Sequence, residues 1–243
     1  MFNHAHHQRI LHVLESLNES MFSQFGALFG GGTLITLLNQ EYRWSKDIDF
    51  VCPTGIGYKQ LRKVVFDANF DPGVLFSKTA SLKFPRQLKA DQYGVRFLIV
   101  VDNEPIKFEI IAEQRITLDP AERIEGIPVP CLGVVDQWAE KLLANADRGL
   151  DSSVESRDLI DLAVLRLKGA PPEFAIDKAE AAYPVLDPLR ISLEKFQQSP
   201  QYREKCFSVL EINCQPAILD GIDFLAEDLG MGKTVRTSKE SNS

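Results

Sequence analysis

Apolar and polar residues repeat with two different periods along this chain, and the period predicts its elements. Apolar residues recur every three or four positions over residues 7–25, which predicts an amphipathic helix. The same spacing predicts a short helix from Thr33 to about Gln40 and a further amphipathic helix over Tyr58–Ala68. Between these two, the alternation over residues 47–51 predicts a strand.

Strand patterns dominate the next stretch, up to Pro130. Residues 95–101 and 106–111 are apolar runs joined by Asp-Asn-Glu-Pro, which is typical of a hairpin. Shorter strands are predicted at residues 74–77 and 80–84. Beyond Pro130 the composition becomes helical and stays so to the end of the chain.

These elements predict an α+β protein of two domains. The N-terminal domain, residues 1–130, contains a small mixed sheet, and an all-helical C-terminal domain covers residues 131–230. Residues 231–243 are expected to form a disordered tail. A chain of 243 residues is long enough to bury a sizeable core in two such domains.

The charge of the chain is spread unevenly. A net charge of −7 argues against indiscriminate nucleic-acid binding, yet residues 59–96 carry eight Lys or Arg against three Asp. This basic segment suits a triphosphate or an RNA backbone, and an ordinary solvated face explains it equally well. The sequence has neither an apolar run of membrane-spanning length nor a signal-peptide pattern, so we expect a cytoplasmic protein with no membrane partner.

The candidate chemistry is concentrated in a glycine turn and the strand that follows it. Gly30–Gly32 lack Cβ atoms, so backbone N–H groups there can approach an anion at the start of the helix near Thr33, with φ > 0 expected at Gly32. Asp47 and Asp49 project from one face of the predicted strand. Their mutual repulsion and hard oxygens suit Mg²⁺. A phosphate cradle followed by a metal-binding Asp-x-Asp indicates phosphoryl-type transfer.

Glu109, within the strand predicted at residues 106–111, is a candidate third carboxylate. Its immediate neighbours are apolar, and a carboxylate in an apolar run needs a partner or a cation. Lys107 shares its face of the strand. Two interpretations therefore stay open: Glu109 is a ligand of a metal cation, or it is a half-exposed residue in a salt bridge with Lys107.

Two predicted helices beyond Pro130 carry a set of polar residues. The helix over residues 134–150 has three of them on one face: Lys141, Asn145 and Arg148. The next helix is predicted to begin at the capping-box pattern Ser152-x-x-Glu155, and Arg157 is spaced to pair with Asp161. A structural network between the two helices explains these residues without a ligand.

Five segments occur in one order along the chain. They are Gly31-Gly-Thr33, Arg43-x-Ser45-x-Asp47-Ile-Asp49-Phe50, Pro105-Ile-Lys-Phe-Glu-Ile-Ile111, Lys141-Leu-Leu-Ala-Asn-Ala-Asp-Arg148 and Arg157-Asp-Leu-Ile-Asp161-Leu. The glycine turn and Asp-x-Asp resemble the nucleotidyltransferase fold, and the whole set resembles the AbiEii/AbiGii toxin family of type IV toxin–antitoxin systems. The resemblance covers roughly residues 26–166.

The resemblance implies a Mg²⁺-dependent nucleotidyltransferase whose N-terminal domain has the nucleotidyltransferase fold. Asp47, Asp49 and Glu109 would hold two Mg²⁺ ions with a bound NTP, with Glu109 as a general base. Lys141 would be catalytic, neutralising charge on the departing pyrophosphate. The implied nucleotide-binding residues are Gly31, Gly32, Thr33, Arg43, Ser45, Lys141 and Asp158. The family more often has Asp where this chain has Glu109.

The family also implies the partners of the reaction. The acceptor of the nucleotide would be an RNA, particularly tRNA, or a protein hydroxyl, and a cognate antitoxin and a role in phage defence are expected. Two alternatives stay open. One is a catalytically inert module that binds nucleotides or a partner on the same fold, and the other is an antitoxin-type nucleotidyltransferase that modifies a partner toxin.

Overall fold

Residues 2–241 are described by the computed structural model, and their contacts divide them into two units. The first unit comprises the residues up to Leu37 together with Lys46–Gly133. The second comprises Leu38–Ser45 together with the residues from Val134 onwards. A short segment that lies early in the sequence, Leu38–Ser45, therefore belongs with the C-terminal helices.

A five-stranded mixed sheet lies in the first unit. Its strands are β1 Leu28–Phe29, β2 Ile48–Pro53, β3 Lys89–Ala90, β4 Gly94–Val101 and β5 Glu104–Glu113. They are ordered β1-β2-β5-β4-β3, with β2 and β5 parallel and the other neighbours antiparallel. The predicted α+β class with a small mixed sheet is confirmed.

Phenylalanine rings pack one face of this sheet. The rings of Phe50 and Phe108 stack with centroids 5.5 Å apart, and those of Phe97 and Phe108 with centroids 4.8 Å apart. Phe22 packs against Phe50 at 4.7 Å. Because side chains alternate along a strand, the residues between these rings point to the opposite face of the sheet.

Four helices and a 3-10 helix complete the first unit: α1 Ala5–Ser16, α2 Glu19–Phe25, α3 Gly31–Leu38, α4 Ile56–Asp67 and the 3-10 helix Pro72–Leu75. The prediction of a single helix over residues 7–25 is wrong, because α1 and α2 are separate. Asn18 begins the second helix, since its side chain accepts a hydrogen bond from Met21 N at 3.3 Å. Leu17, between the helices, is extended and forms a bridge with Phe76.

The short strands predicted at residues 74–77 and 80–84 are also wrong. The first overlaps the 3-10 helix, which the Asp71 side chain stabilises by accepting a hydrogen bond from Gly73 N at 2.9 Å. In the segment 80–84, Lys83 forms only an isolated bridge with Val100, so this segment is not a strand. The strands β1 and β3 were not predicted, because two residues are too few to show a period.

The second unit is helical. Its helices are α5 Val134–Arg148, α6 Arg157–Lys168, α7 Glu173–Glu180, α8 Leu186–Gln198, α9 Pro200–Val209, α10 Gln215–Asp228 and α11 Ser238–Ser241. The prediction that α6 begins at Ser152 is wrong, because Ser152–Val154 form only a 3-10 helix. Glu155 and Ser156, both with φ of 50°, separate it from α6. Within residues 2–241, no helix has the length and hydrophobicity needed to span a membrane.

Residues 231–241 make specific contacts, in contrast to the disordered tail that the sequence predicts. The buried guanidinium of Arg203 binds Glu240 through Nε at 2.7 Å and through Nη2 at 2.9 Å. Arg203 Nη2 also donates to the Val235 carbonyl, and Thr234 N donates to Asp223 at 2.7 Å. These partners are distant in sequence, so no local pattern in the chain indicates them. Residues 242 and 243 lie outside the described part of the chain.

Candidate active site

Asp49 and Glu109 are neighbours across two strands, on the face opposite the phenylalanine rings. Asp49 of β2 is the register partner of Glu109 in β5, and Glu109 is the partner of Arg96 in β4. Ile48 and Phe50, on either side of Asp49 in the chain, are fully buried. The register thus brings together two of the three carboxylates that the sequence predicts as metal ligands, and it adds an arginine that the sequence did not single out.

Two cations hold the Glu109 carboxylate. Arg96 Nε lies 3.1 Å from Glu109 Oε1, and Lys107 Nζ lies 2.6 Å from Oε2. Arg96 also forms an ion pair with Asp91 at 3.1 Å. The Glu109 side chain is 18% exposed, whereas those of Arg96 and Lys107 are 39% and 49% exposed. The salt bridge to Lys107, one of the two interpretations from sequence, is therefore present, and the role of metal ligand stays a prediction.

The glycine turn lies directly against Asp49. Gly31 has φ of +67°, and a Cβ there would be 2.8 Å from Asp49 Oδ2. Glycine is therefore required at Gly31 both by the backbone conformation and by the closeness of the carboxylate. The expected positive φ at Gly32 is wrong, because the glycines with positive φ are Gly31 and three others elsewhere in the chain.

The turn also begins helix α3. Gly30 N donates to the Asp49 carbonyl at 2.9 Å, and Leu34 N makes the first helical bond, to the Gly30 carbonyl at 3.4 Å. Gly31, Gly32 and Thr33 occupy the first turn of the helix, where N–H groups have no acceptor within the helix itself. The positive end of the helix dipole lies there too. The three residues predicted as a phosphate cradle thus share one helix N-terminus beside Asp49.

Asp47 precedes the first residue of β2 and is half-buried. Thr33 Oγ1 donates a hydrogen bond to the Asp47 carbonyl at 2.5 Å. This hydroxyl is buried and holds the backbone of Asp47, so it is not the group of Thr33 that would contact a phosphate. The same threonine links the cradle to the Asp-x-Asp segment.

The carboxylates supply the kind of oxygen that Mg²⁺ prefers. Within residues 2–241, no three His, Cys, Asp or Glu side chains are arranged as a ready metal site. Asp47 and Asp49 fit a divalent cation by their chemistry and spacing. Glu109 would join them by exchanging its contacts with Arg96 and Lys107 for the metal, since these two cations now neutralise it.

The second unit contains a buried network of charges. Arg43 binds Asp161 through Nε at 2.7 Å and through Nη2 at 3.0 Å, and the Tyr42 hydroxyl donates to the same carboxylate. Lys141 Nζ lies 2.6 Å from Asp161 Oδ2 and 2.8 Å from Asp158 Oδ1. The side chains of Lys141 and Asp158 are 6% and 2% exposed, and that of Asp161 is fully buried. This network attaches the segment Leu38–Ser45 to α5 and α6.

Every charge in this network is stabilised by its neighbours. Burial alone lowers the pKa of Lys141, but the carboxylates of Asp158 and Asp161 outweigh it and raise that pKa above its usual value. Burial raises the pKa of Asp161, but Arg43 and Lys141 outweigh it and hold that pKa below its usual value. Burial also raises the pKa of Asp158, but Lys141 and Arg148 together outweigh burial and hold that pKa below its usual value. The network therefore stays ionised at neutral pH.

Three of the predicted nucleotide-binding residues meet in this network: Arg43, Lys141 and Asp158. Ser45, the fourth from this unit, is buried. Arg148, 40% exposed, extends the network to solvent through Asp158 at 2.7 Å. Sequence reasoning paired Asp161 with Arg157, whereas the structure pairs it with Arg43 and Lys141. The signal for Asp161 was present in the Arg157-Asp-Leu-Ile-Asp segment, but its partner Arg43 is 118 residues away.

A family of known proteins matches most of the chain. The family model described as nucleotidyl transferase AbiEii toxin, type IV TA system, matches residues 13–203. A search of curated proteins finds no match. The matched residues include every residue predicted for the site.

Two solved structures are similar to the chain at low identity. JHP933 from Helicobacter pylori is 16% identical, over 91% of each chain, with a TM-score of 0.49. An antigenic nucleotidyltransferase-like protein from Paracoccidioides brasiliensis is 13% identical, over 85% of this chain and 94% of its own, with a TM-score of 0.47.

Proposed function

This chain belongs to the AbiEii family of nucleotidyltransferase toxins, and we propose that it transfers a nucleotide from an NTP to an RNA or protein acceptor with the help of Mg²⁺. One observation carries the proposal: the carboxylate of Asp49 lies against Gly31, at the first turn of α3. An anionic metal ligand and an anion-binding helix end are thereby neighbours. That juxtaposition is what binding of a metal-complexed triphosphate requires.

In this proposal the N–H groups of Gly31, Gly32 and Thr33 bind the triphosphate, and Asp47 and Asp49 would hold the metal. Bound Mg²⁺ supplies neutralisation of phosphate charge and a lower pKa for the attacking hydroxyl. Glu109, once released from its two cations, would complete the ligand set and accept the proton of that hydroxyl.

The charge network of the second unit has a supporting role in the proposal. The ammonium of Lys141 is buried between two carboxylates, so its charge is already neutralised locally. A direct contact with the departing pyrophosphate requires Lys141 to leave one of them. We therefore assign Lys141 to holding Asp161, which in turn holds Arg43, and we assign Asp158 to holding Lys141. Arg148, which is 40% exposed, is the member of the network with surface available to a phosphate.

The acceptor of the nucleotide and the cognate partner protein are proposed mainly from the family. Membership of a type IV toxin–antitoxin family supports an antitoxin as the cognate partner and an NTP as substrate. The acceptor is an RNA, of which tRNA is the first to test, or a protein hydroxyl. The basic residues between Lys59 and Arg96 favour RNA.

The test is incubation of the protein with each labelled NTP, Mg²⁺ and total cell RNA or protein. We expect label in one acceptor class, and none with Asp49→Asn. Asp67→Asn is the matched control, since Asp67 lies on α4 with a side chain 57% exposed and pairs with Lys63. Transfer that persists in Asp49→Asn, or no transfer by the wild type to either class, would refute the proposal.

The inert nucleotide-binding module remains a second candidate, because one observation favours it. Glu109 is held by Arg96 and Lys107 in an arrangement that is stable without any metal. An inert module would bind an NTP and yet leave acceptors unlabelled. Equilibrium binding of a labelled NTP, measured beside the transfer assay, separates the two candidates.

A further inference from the structure

The backbone around Asp47 is held by side chains from two helices. Asp47 lies outside the paired register of β2, which begins at Ile48. On its N-terminal side, His6 Nε2 lies 3.0 Å from the Lys46 carbonyl oxygen. On its C-terminal side, Thr33 Oγ1 donates to the carbonyl of Asp47 itself at 2.5 Å. A residue without strand pairing is thus held on both sides.

These two contacts restrain the direction of the Asp47 side chain. A peptide group is planar, so a hydrogen bond to its oxygen limits rotation of the whole group. The Lys46 carbonyl belongs to the peptide before the Asp47 Cα, and the Asp47 carbonyl belongs to the peptide after it. Restraining both limits φ and ψ of Asp47, and therefore limits where its carboxylate points.

We propose that His6 is a positioning residue, which orients Asp47 for metal binding by holding the Lys46 peptide. This inference rests on the proposed function, because it assumes that Asp47 binds a metal. A carbonyl oxygen only accepts, so the imidazole donates through its Nε2–H. His6 is 9% exposed, so its ring is held by the surrounding protein.

His6 adds something that the family match does not contain. It lies on α1, before residues 13–203 that the family model covers. The same helix carries His12, whose Nε2 lies 2.6 Å from Ser81 Oγ, away from Asp47. His12 therefore serves as a matched control for the loss of one histidine hydrogen bond from this helix.

The variants separate the hydrogen bond from the volume of the ring. His6→Gln keeps a donor at a similar reach, since the Gln Nε2 amide can replace the imidazole Nε2–H. His6→Ala removes both the donor and the ring. His6→Met keeps apolar volume without a donor, and it replaces His6→Ala if that variant unfolds. Thermal melting of each variant checks the fold.

The readouts are Mn²⁺ affinity, measured by electron paramagnetic resonance without substrate, and single-turnover transfer. We expect Mn²⁺ to bind about 2- to 12-fold more weakly in His6→Ala and His6→Met, as loss of one net hydrogen bond implies. His6→Gln should bind within about 2-fold of the wild type, and His12→Ala should be unchanged. The transfer rate at a fixed low Mn²⁺ concentration should follow the same order, and saturating Mn²⁺ should restore part of it.

Two results would overturn the inference. One is wild-type Mn²⁺ affinity in folded His6→Ala or His6→Met, and the other is the same weakening in His6→Gln as in His6→Ala. Failure of the proposed function has a different signature. In that case the wild-type protein itself neither binds Mn²⁺ nor labels an acceptor, whatever residue stands at His6.

Discussion

Glu109 separates an active transferase from an inert module, and two substitutions distinguish them. Glu109→Gln keeps the size of the side chain and removes its charge, while Glu109→Asp keeps the charge on a shorter arm. If Glu109 is a metal ligand and base, Glu109→Gln should lose at least about 100-fold in transfer rate, equivalent to about 2.7 kcal/mol of barrier. Glu109→Asp should keep part of the rate, because it retains a carboxylate that can bind the metal and accept a proton.

The structure limits the effect of the same change on stability. Each ion pair of Glu109 involves a cation at least 39% exposed, and such pairs contribute about 0–1 kcal/mol each. Loss of both therefore costs at most about 2 kcal/mol, and relief of repulsion with Asp49 offsets part of it. For a chain of this length the melting temperature should fall by less than about 8 °C. If the melting temperature falls by less than this bound, a roughly 100-fold loss of transfer rate cannot come from unfolding.

The assay is single-turnover transfer of labelled NTP at saturating Mg²⁺, with thermal melting of the same preparations. Glu104→Gln is the matched control, since Glu104 begins the same strand and is exposed. The reasoning is refuted if Glu109→Gln transfers at the wild-type rate. A melting temperature that falls much further than the bound would instead show that the two ion pairs are worth more than the structure suggests.

Three further predictions concern the turn, the charge network and the C-terminal segment. Gly31→Ala should destabilise the protein by about 1–2 kcal/mol, because the backbone at Gly31 has a positive φ. It should also raise the KM for NTP, and equal KM values in the variant and the wild type would show that Gly31 does not bind the triphosphate. Asp161→Asn should lower the free energy of unfolding by about 3–5 kcal/mol, since it leaves the buried cations Arg43 and Lys141 without this counter-charge. Urea titration that shows a decrease of less than about 1 kcal/mol would contradict this prediction. Arg203 lowers the pKa of Glu240 to about 2, below its value in the unfolded chain, so its contribution to stability is present above about pH 5 and is lost as the pH falls towards 2. Stability measured over that range should depend less on pH in Glu240→Gln, and an unchanged profile would show that other carboxylates account for the acid sensitivity.

The sequence alone determined the elements that carry the candidate site. The alternation around Phe50 and Phe108 identified β2 and β5, because burial of one face leaves a period of two in the sequence itself. The run of glycines before Asp47 and Asp49 identified the turn, because residues without a Cβ mark a place where the backbone can approach another group closely. Family membership could likewise be inferred from short segments in order, and the match confirms it.

Tertiary structure decided which partner each of these residues has. Glu109 faces Arg96 because of strand register, and Asp161 faces Arg43 across 118 residues of sequence. His6 reaches the peptide before Asp47 across 40 residues. No local period records such pairings, because the side chains meet only after the sheet and helices have packed. The sequence therefore predicts which residues are polar and where they lie along each element, and the packing determines which charges are neutralised and which are left for a ligand.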